Sequence, residues 1–124
     1  MEPTATHLPL VLIVDDDKDI RESFAHVLGD RGYDVVQAQH GQAALEYLAT
    51  QLLPALIVLD LMMPVMSGEE FRRAQLADPR LASIPVVVMS AAERGSSIAA
   101  ELGTEFLPKP ARMHQLLAAV KRHC

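Results

Sequence analysis

Leu10-Val11-Leu12-Ile13-Val14 runs straight into Asp15-Asp16-Asp17, and these eight residues decide the fold. Five consecutive aliphatic residues without polar alternation predict a strand buried on both faces, as in a parallel sheet covered by helices on each side. Asp17 can then cap a helix in which Ile20, Phe24, Val27 and Leu28 form one apolar stripe. Gly32 suits the left-handed position that closes such a helix.

The same unit recurs along the chain. Residues 34–38 predict a second strand, and a second helix runs from about Gln42 to Gln51 with Ala44, Leu45 and Leu48 inward. Pro54 breaks it, Ala55 to Leu59 form a wholly apolar third strand, and Asp60 to Ser67 read as a loop containing Pro64. Ser67-Gly68-Glu69-Glu70 is a capping box. Pro85 introduces a fourth strand, Val86 to Met89, and a short helix from about Ser97 to Leu102 ends at Gly103. Phe106 and Leu107 mark a brief fifth strand, and Met113, Leu116, Leu117 and Val120 stripe a last helix. Strict alternation of strand and helix predicts an α/β domain, a doubly wound five-stranded parallel sheet between two helical layers. Right-handed crossovers favour the flavodoxin-like strand order 2-1-3-4-5.

Composition agrees. The chain has 124 residues, half of them hydrophobic and 22% charged, enough for one buried core, so a tail over 1–9 and one domain over 10–124 are expected. Sixteen acids against eleven Lys and Arg give a net charge of −5 without a basic cluster, which speaks against direct nucleic-acid binding. The lone cysteine, Cys124, offers no disulfide framework, and the five histidines (7, 26, 40, 114 and 123) show no ligand spacing and read as surface residues. Met1 to Pro9 lacks the apolar stretch of a signal peptide, and no apolar run is long enough to span a membrane, so a soluble cytoplasmic domain is expected.

In a doubly wound sheet, chemistry sits outside the carboxyl ends of the strands. Those ends here carry Asp15, Asp16 and Asp17 after the first strand, Asp60 after the third, Ser90 after the fourth and Lys109-Pro110 after the fifth. A nucleotide or flavin phosphate needs a glycine-rich turn after the first strand. Three carboxylates there would instead repel a phosphate by several kcal/mol. Clustered carboxylates either raise a pKa or bind a hard cation, and few oxygen ligands suit Mg²⁺ with retained waters. Bound Mg²⁺ makes an acidic pocket phosphate-accepting, which turns Asp60 into a candidate nucleophile for phosphorus. Lys109 would then pair with a phosphoryl oxygen and Ser90 would donate to one.

Taken together, Val14-Asp15-Asp16-Asp17, Leu59-Asp60-Leu61-Met62-Met63-Pro64 with Gly68, Ser90-Ala91 and Phe106-Leu107-Pro108-Lys109-Pro110 resemble the receiver domains of bacterial two-component response regulators. The resemblance covers the chain from Leu10 onward and implies that Asp60 is the phosphoacceptor. It implies that Asp16 touches the metal, that Asp15 acts largely through water, and that the Met62 backbone carbonyl completes the ligand set. Ser90 resembles the hydroxyl that follows the phosphoryl group, Phe106 the aromatic switch residue and Lys109 the family lysine. A cis Lys109-Pro110 bond is implied as well, although X–Pro bonds are trans by default, with only about 5–6% cis. The implied function is phosphorelay signalling. A sensor histidine kinase or phosphotransfer protein donates, a downstream partner or output domain reads the switched face, and no catalysis occurs beyond self-phosphorylation and self-dephosphorylation.

Two departures from the family matter. Between Ser90 and Lys109 the chain is shorter than typical receivers by somewhat less than one helical turn (~3.6 residues), around Ala92 to Ser97. Phe106 also stands where tyrosine is frequent. Two other functions share parts of this pattern. A haloacid-dehalogenase-type phosphatase also uses an aspartate nucleophile with Mg²⁺, but requires an acid two residues later, where Met62 cannot move a proton. A degenerate receiver serving only as a binding scaffold conflicts with intact Asp16, Asp60 and Lys109. The last helix ends close to Cys124, so no output domain is expected within this sequence.

Overall fold

The computed structural model describes residues 9–124; the tail expected over 1–9, Pro9 excepted, and His7 lie outside them. Strands and helices alternate without exception. They are β1 (Leu10–Val14), α1 (Lys18–Asp30), β2 (Asp34–Ala38), α2 (Gly41–Thr50), β3 (Leu56–Asp60), α3 (Gly68–Ala77), β4 (Val86–Ser90), α4 (Gly95–Leu102), β5 (Glu105–Pro108) and α5 (Met113–His123). All ladders are parallel and the order is β2-β1-β3-β4-β5, as the sequence predicts.

Side-chain alternation along each strand divides the core in two. Leu12, Val14, Ile57, Leu59, Val86 and Val88 face α2, α3 and α4, where Ala44, Leu48, Phe71 and Ala99 meet them. Val11, Ile13, Leu56, Val58, Val87 and Met89 face α1 and α5, against Phe24, Leu28, Leu116 and Val120. Each fully buried side chain of this size contributes about 1.5–3 kcal/mol relative to exposure.

The helix ends follow local chemistry. The Asp17 carboxylate accepts the amides of Asp19 and Ile20 at the head of α1. At its foot, Gly32 (φ 90°) donates to Gly29 and Tyr33 to Leu28, a Schellman closure. The capping box predicted at Ser67 and Glu70 is present.

The structure adjusts some boundaries. The ladders run one residue past the apolar runs, pairing Asp60 with Met89 and Ser90 with Pro108, so both candidate residues end strands rather than begin loops. Helix α4 starts at Gly95, two residues before the predicted start, because Ser97 donates its hydroxyl back to Arg94 O instead of capping.

One polar chain crosses the core between α3 and α4. Arg72, only 8% exposed, donates from Nε to Leu102 O at 3.1 Å and from Nη1 to Gln75 Oε1 at 2.8 Å. Gln75 Nε2 donates in turn to Leu81 O and Ile84 O, at 3.0 and 2.9 Å. No carboxylate pairs with Arg72 among the described residues. Burial pulls its guanidinium below the usual arginine pKa.

Candidate functional site

The carboxyl ends of β1, β3, β4 and β5 bring the expected groups to one edge of the sheet. Asp15 is fully buried and held from several sides. Its amide donates to Ala38 O at 3.1 Å, its carbonyl accepts Arg21 Nη1 at 2.7 Å, and its Oδ1 accepts the Asp17 amide at 2.9 Å. The Lys109 ammonium lies 2.8 Å from Asp15 Oδ2 and 3.5 Å from Asp60 Oδ1. Asp15 Oδ2 accepts no well-aligned hydrogen bond, so the lysine compensates it by charge. Asp16 is exposed at the mouth, and one carboxylate oxygen from each of Asp15, Asp16 and Asp60 lies within 4.8 Å of the others.

This crowding acts on Asp60, which is 4% exposed. Burial is the larger cause and the Asp15 charge the next, and together they push its pKa from 3.8 to about 6 against the opposing pull of Lys109 and the Met62 amide. Burial works against the Lys109 charge too, but the close contact with Asp15 and the charges of Asp60 and Asp15 outweigh it and hold its pKa above the usual lysine value.

Ser90 is buried beside this pair, its Oγ accepting the Ala92 amide at 3.0 Å. The Lys109 amide donates to Ser90 O at 3.0 Å, which ties the end of β5 to the end of β4, and the Lys109–Pro110 bond is cis. Phe106 is half-buried with its ring over Gly95: a Cβ at that glycine would meet the ring edge at 2.9 Å and Ser90 Cβ at 3.2 Å. Met62 extends into solvent at 66% exposure. Beside Lys109 an apolar cavity of about 440 Å³ opens between Ile20, Phe24, Met89, Ala91, Pro110 and Ala111.

Some participants escape a reading of sequence alone. Lys109 sits closer to Asp15 than to Asp60, a preference that no spacing encodes. Arg21 and Gly95 act through a backbone carbonyl and a missing Cβ, and neither leaves a motif. His40, expected to be a plain surface residue, caps α2 by accepting the Ala43 amide on Nδ1, and His123 pairs with Glu105 at 2.5 Å.

A doubly wound sheet whose edge carries an acidic pocket in place of a glycine-rich phosphate turn defines a class of α/β domain, and comparison with known proteins places the chain within it. It belongs to the response regulator receiver domain family, whose model matches residues 11–121. Response regulator MprA of Mycolicibacterium vanbaalenii is 38% identical over 114 residues, covering 90% of this chain and 48% of that protein. The chain therefore spans about half the length of the curated relatives it matches. A response regulator receiver protein from Pseudomonas putida superposes with a TM-score of 0.86 at 33% identity, over 95% of this chain and 99% of that one. The chemotaxis response regulator CheY4 of Vibrio cholerae does so with 0.85 at 29% identity, over 94% and 99%. Among the described residues no helix is long and apolar enough to cross a membrane.

Proposed function

We propose that this receiver domain accepts a phosphoryl group on Asp60 from a sensor histidine kinase or phosphotransfer protein, in the cytoplasm and with Mg²⁺. The observation that carries the reading is the position of Lys109, within ion-pair distance of both buried carboxylates. An Asp60 oxygen attacks phosphorus, the bond from phosphorus to the donor nitrogen breaks with its electron pair leaving on that nitrogen, and an acyl phosphate forms. Lys109 is placed to offset charge on the transferred group as it arrives.

The donor set suits the metal. Asp15, Asp16 and Asp60 offer hard oxygen atoms within reach of one another, and in this reading the Met62 carbonyl is the third protein ligand while Asp15 acts largely through water. Bound there, Mg²⁺ supplies positive charge facing the phosphoryl oxygens.

Ser90 gives the switch. Turning its hydroxyl toward a phosphoryl oxygen exchanges an ordinary bond from the Ala92 amide for a charge-assisted one, about twice as strong. Phe106, already against Gly95, settles further inward, and the surface of α4, β5 and α5 changes for a downstream partner. No reaction beyond gain and loss of the domain's own phosphoryl group is required of the site.

Incubation with acetyl phosphate and Mg²⁺, followed by intact-mass measurement, tests the assignment. The wild-type chain gains one phosphoryl group, Asp60→Asn gains none, and chelation of the metal suppresses the gain. Labelling of Asp60→Asn at wild-type rate and stoichiometry refutes it.

A further inference from the structure

The two ends of α4 are built differently. Its first turn has no side-chain cap, and the face of Gly95 is pressed by Phe106. Its last turn is closed thoroughly. Gly103, at φ 72°, donates to Ala100 O, and the Thr104 amide donates to Ala99 O at 3.0 Å with its hydroxyl on the same oxygen. The last carbonyl of the helix, Leu102 O, accepts from Arg72 of a different helix, thirty positions earlier in the chain. The α4 sequence has no basic residue in its last turn, so this buried guanidinium supplies the positive charge that a helix C-terminus favours.

The fixation reaches further into the protein. Arg72 is held by Gln75, and Gln75 by the carbonyls of Leu81 and Ile84 in the segment that leads into β4. A buried cation without a carboxylate is costly unless its neighbours satisfy it, so packing alone would favour an apolar side chain here. What the arginine adds is a directed attachment between α3 and the foot of α4.

We propose that Arg72 is a positioning residue that pins the C-terminal end of α4, so that the switch at Ser90 and Phe106 moves only the helix's N-terminal end. Helix α4 then pivots about the bond from Arg72 to Leu102 O instead of sliding as a body. The pivot rests on the phosphoacceptor reading for its trigger, whereas the attachment itself can be measured without phosphorylation.

Hydrogen exchange resolved by peptide on the full chain, with and without beryllofluoride and Mg²⁺ as phosphoryl mimic, tests both parts. In the unliganded protein, Arg72→Met keeps the aliphatic stem and removes the donors, and exchange at Gly103 and Thr104 rises about tenfold, the factor that loss of one charged hydrogen bond gives. Arg72→Lys, which keeps the charge and a single reach, falls between Met and wild type and serves as the second variant if Met folds poorly. With the mimic bound, wild-type exchange changes over residues 91–98 and stays constant over 99–104, while in the variants the change spreads through 104. Unaltered exchange at Gly103 and Thr104 in both unliganded variants overturns the attachment. A wild-type response that runs evenly along α4 overturns the pivot. Failure of the phosphoacceptor reading has a separate signature, a mimic that alters nothing around Asp60 in any chain while the unliganded comparison still decides on Arg72.

Discussion

Asp60→Asn should make the unphosphorylated domain more stable, and only where Asp60 would be ionised. The folded protein raises the pKa of this carboxyl from 3.8 to about 6, so its charged form is penalised in the fold and free in the unfolded chain. A raised carboxyl pKa is a destabilisation that is absent well below 3.8, grows as pH rises through the interval, and is complete above about 6. Two units at 1.36 kcal/mol each give about 3 kcal/mol near neutral pH. The 3.5 Å contact with Lys109 is already contained in that net figure, because the lysine pulls the carboxyl pKa down against burial. A gain of about 3 kcal/mol is therefore expected at about pH 7.5, falling to about 0.5 kcal/mol at about pH 4. Urea unfolding of both chains at the two pH values measures it, as a midpoint shift near neutral pH of about 1.5 M at unchanged slope. Equal stability near neutral pH, or a gain of the same size at both, refutes burial and the Asp15 charge as the forces acting on Asp60. Saturating Mg²⁺ should narrow the gap by binding the wild-type folded state.

Asp16→Asn should weaken Mg²⁺ affinity by well over tenfold, and in the wild type the affinity should fall as pH drops and the carboxylates protonate; a fluorescence or calorimetric titration reads both. Val65 holds φ at 70°, a left-handed conformation that a β-branched side chain resists, so Val65→Gly should relieve about 1–2 kcal/mol of strain against about 0.5–1 kcal/mol of added chain entropy. A modest rise in Tm is the expected result, and a fall refutes the strain. Met62 and Ala92 flank the approach to Asp60 in the receiver reading and neither can orient water, so Met62→Asn should speed phosphate release from the purified phosphoprotein. An unchanged or slower rate counts against that water path.

The sequence discloses the sheet because a fully buried parallel strand has little other way to be written. Leu10–Val14 and Val86–Ser90 are apolar nearly throughout, and Pro54 stands just before β3 as Pro85 does before β4. The site was legible for a related reason, since polar residues directly behind such strands fall at one edge once the strand order is known. Less legible were contacts made by backbone or by a missing atom. Gly95 reads as a loop residue until Phe106 is laid over it, and the Asp15 carbonyl cannot announce Arg21. Arg72 and Gln75 did leave a trace, two polar side chains three positions apart beside the fully buried Phe71, but their partners are carbonyls on distant segments, which carry no residue identity.

Four residues, Ala91 to Arg94, join the end of β4 to the head of α4, and they have almost no slack. Two internal bonds shorten the span, from the Ala92 amide to Ser90 Oγ and from the Gly95 amide to Ala92 O. A long loop would absorb a rotation of the Ser90 hydroxyl within its own disorder. Here the proposed turn of Ser90 would withdraw the acceptor from Ala92, and the freed amide would have only this short segment in which to relax before the first turn of α4 begins. On the proposed switch this segment would act as a taut coupling, passing a rotamer change in one side chain to the helix that follows. Lengthening this segment by a glycine or two would leave the chemistry at Asp60 in place while disconnecting it from the surface that reports it.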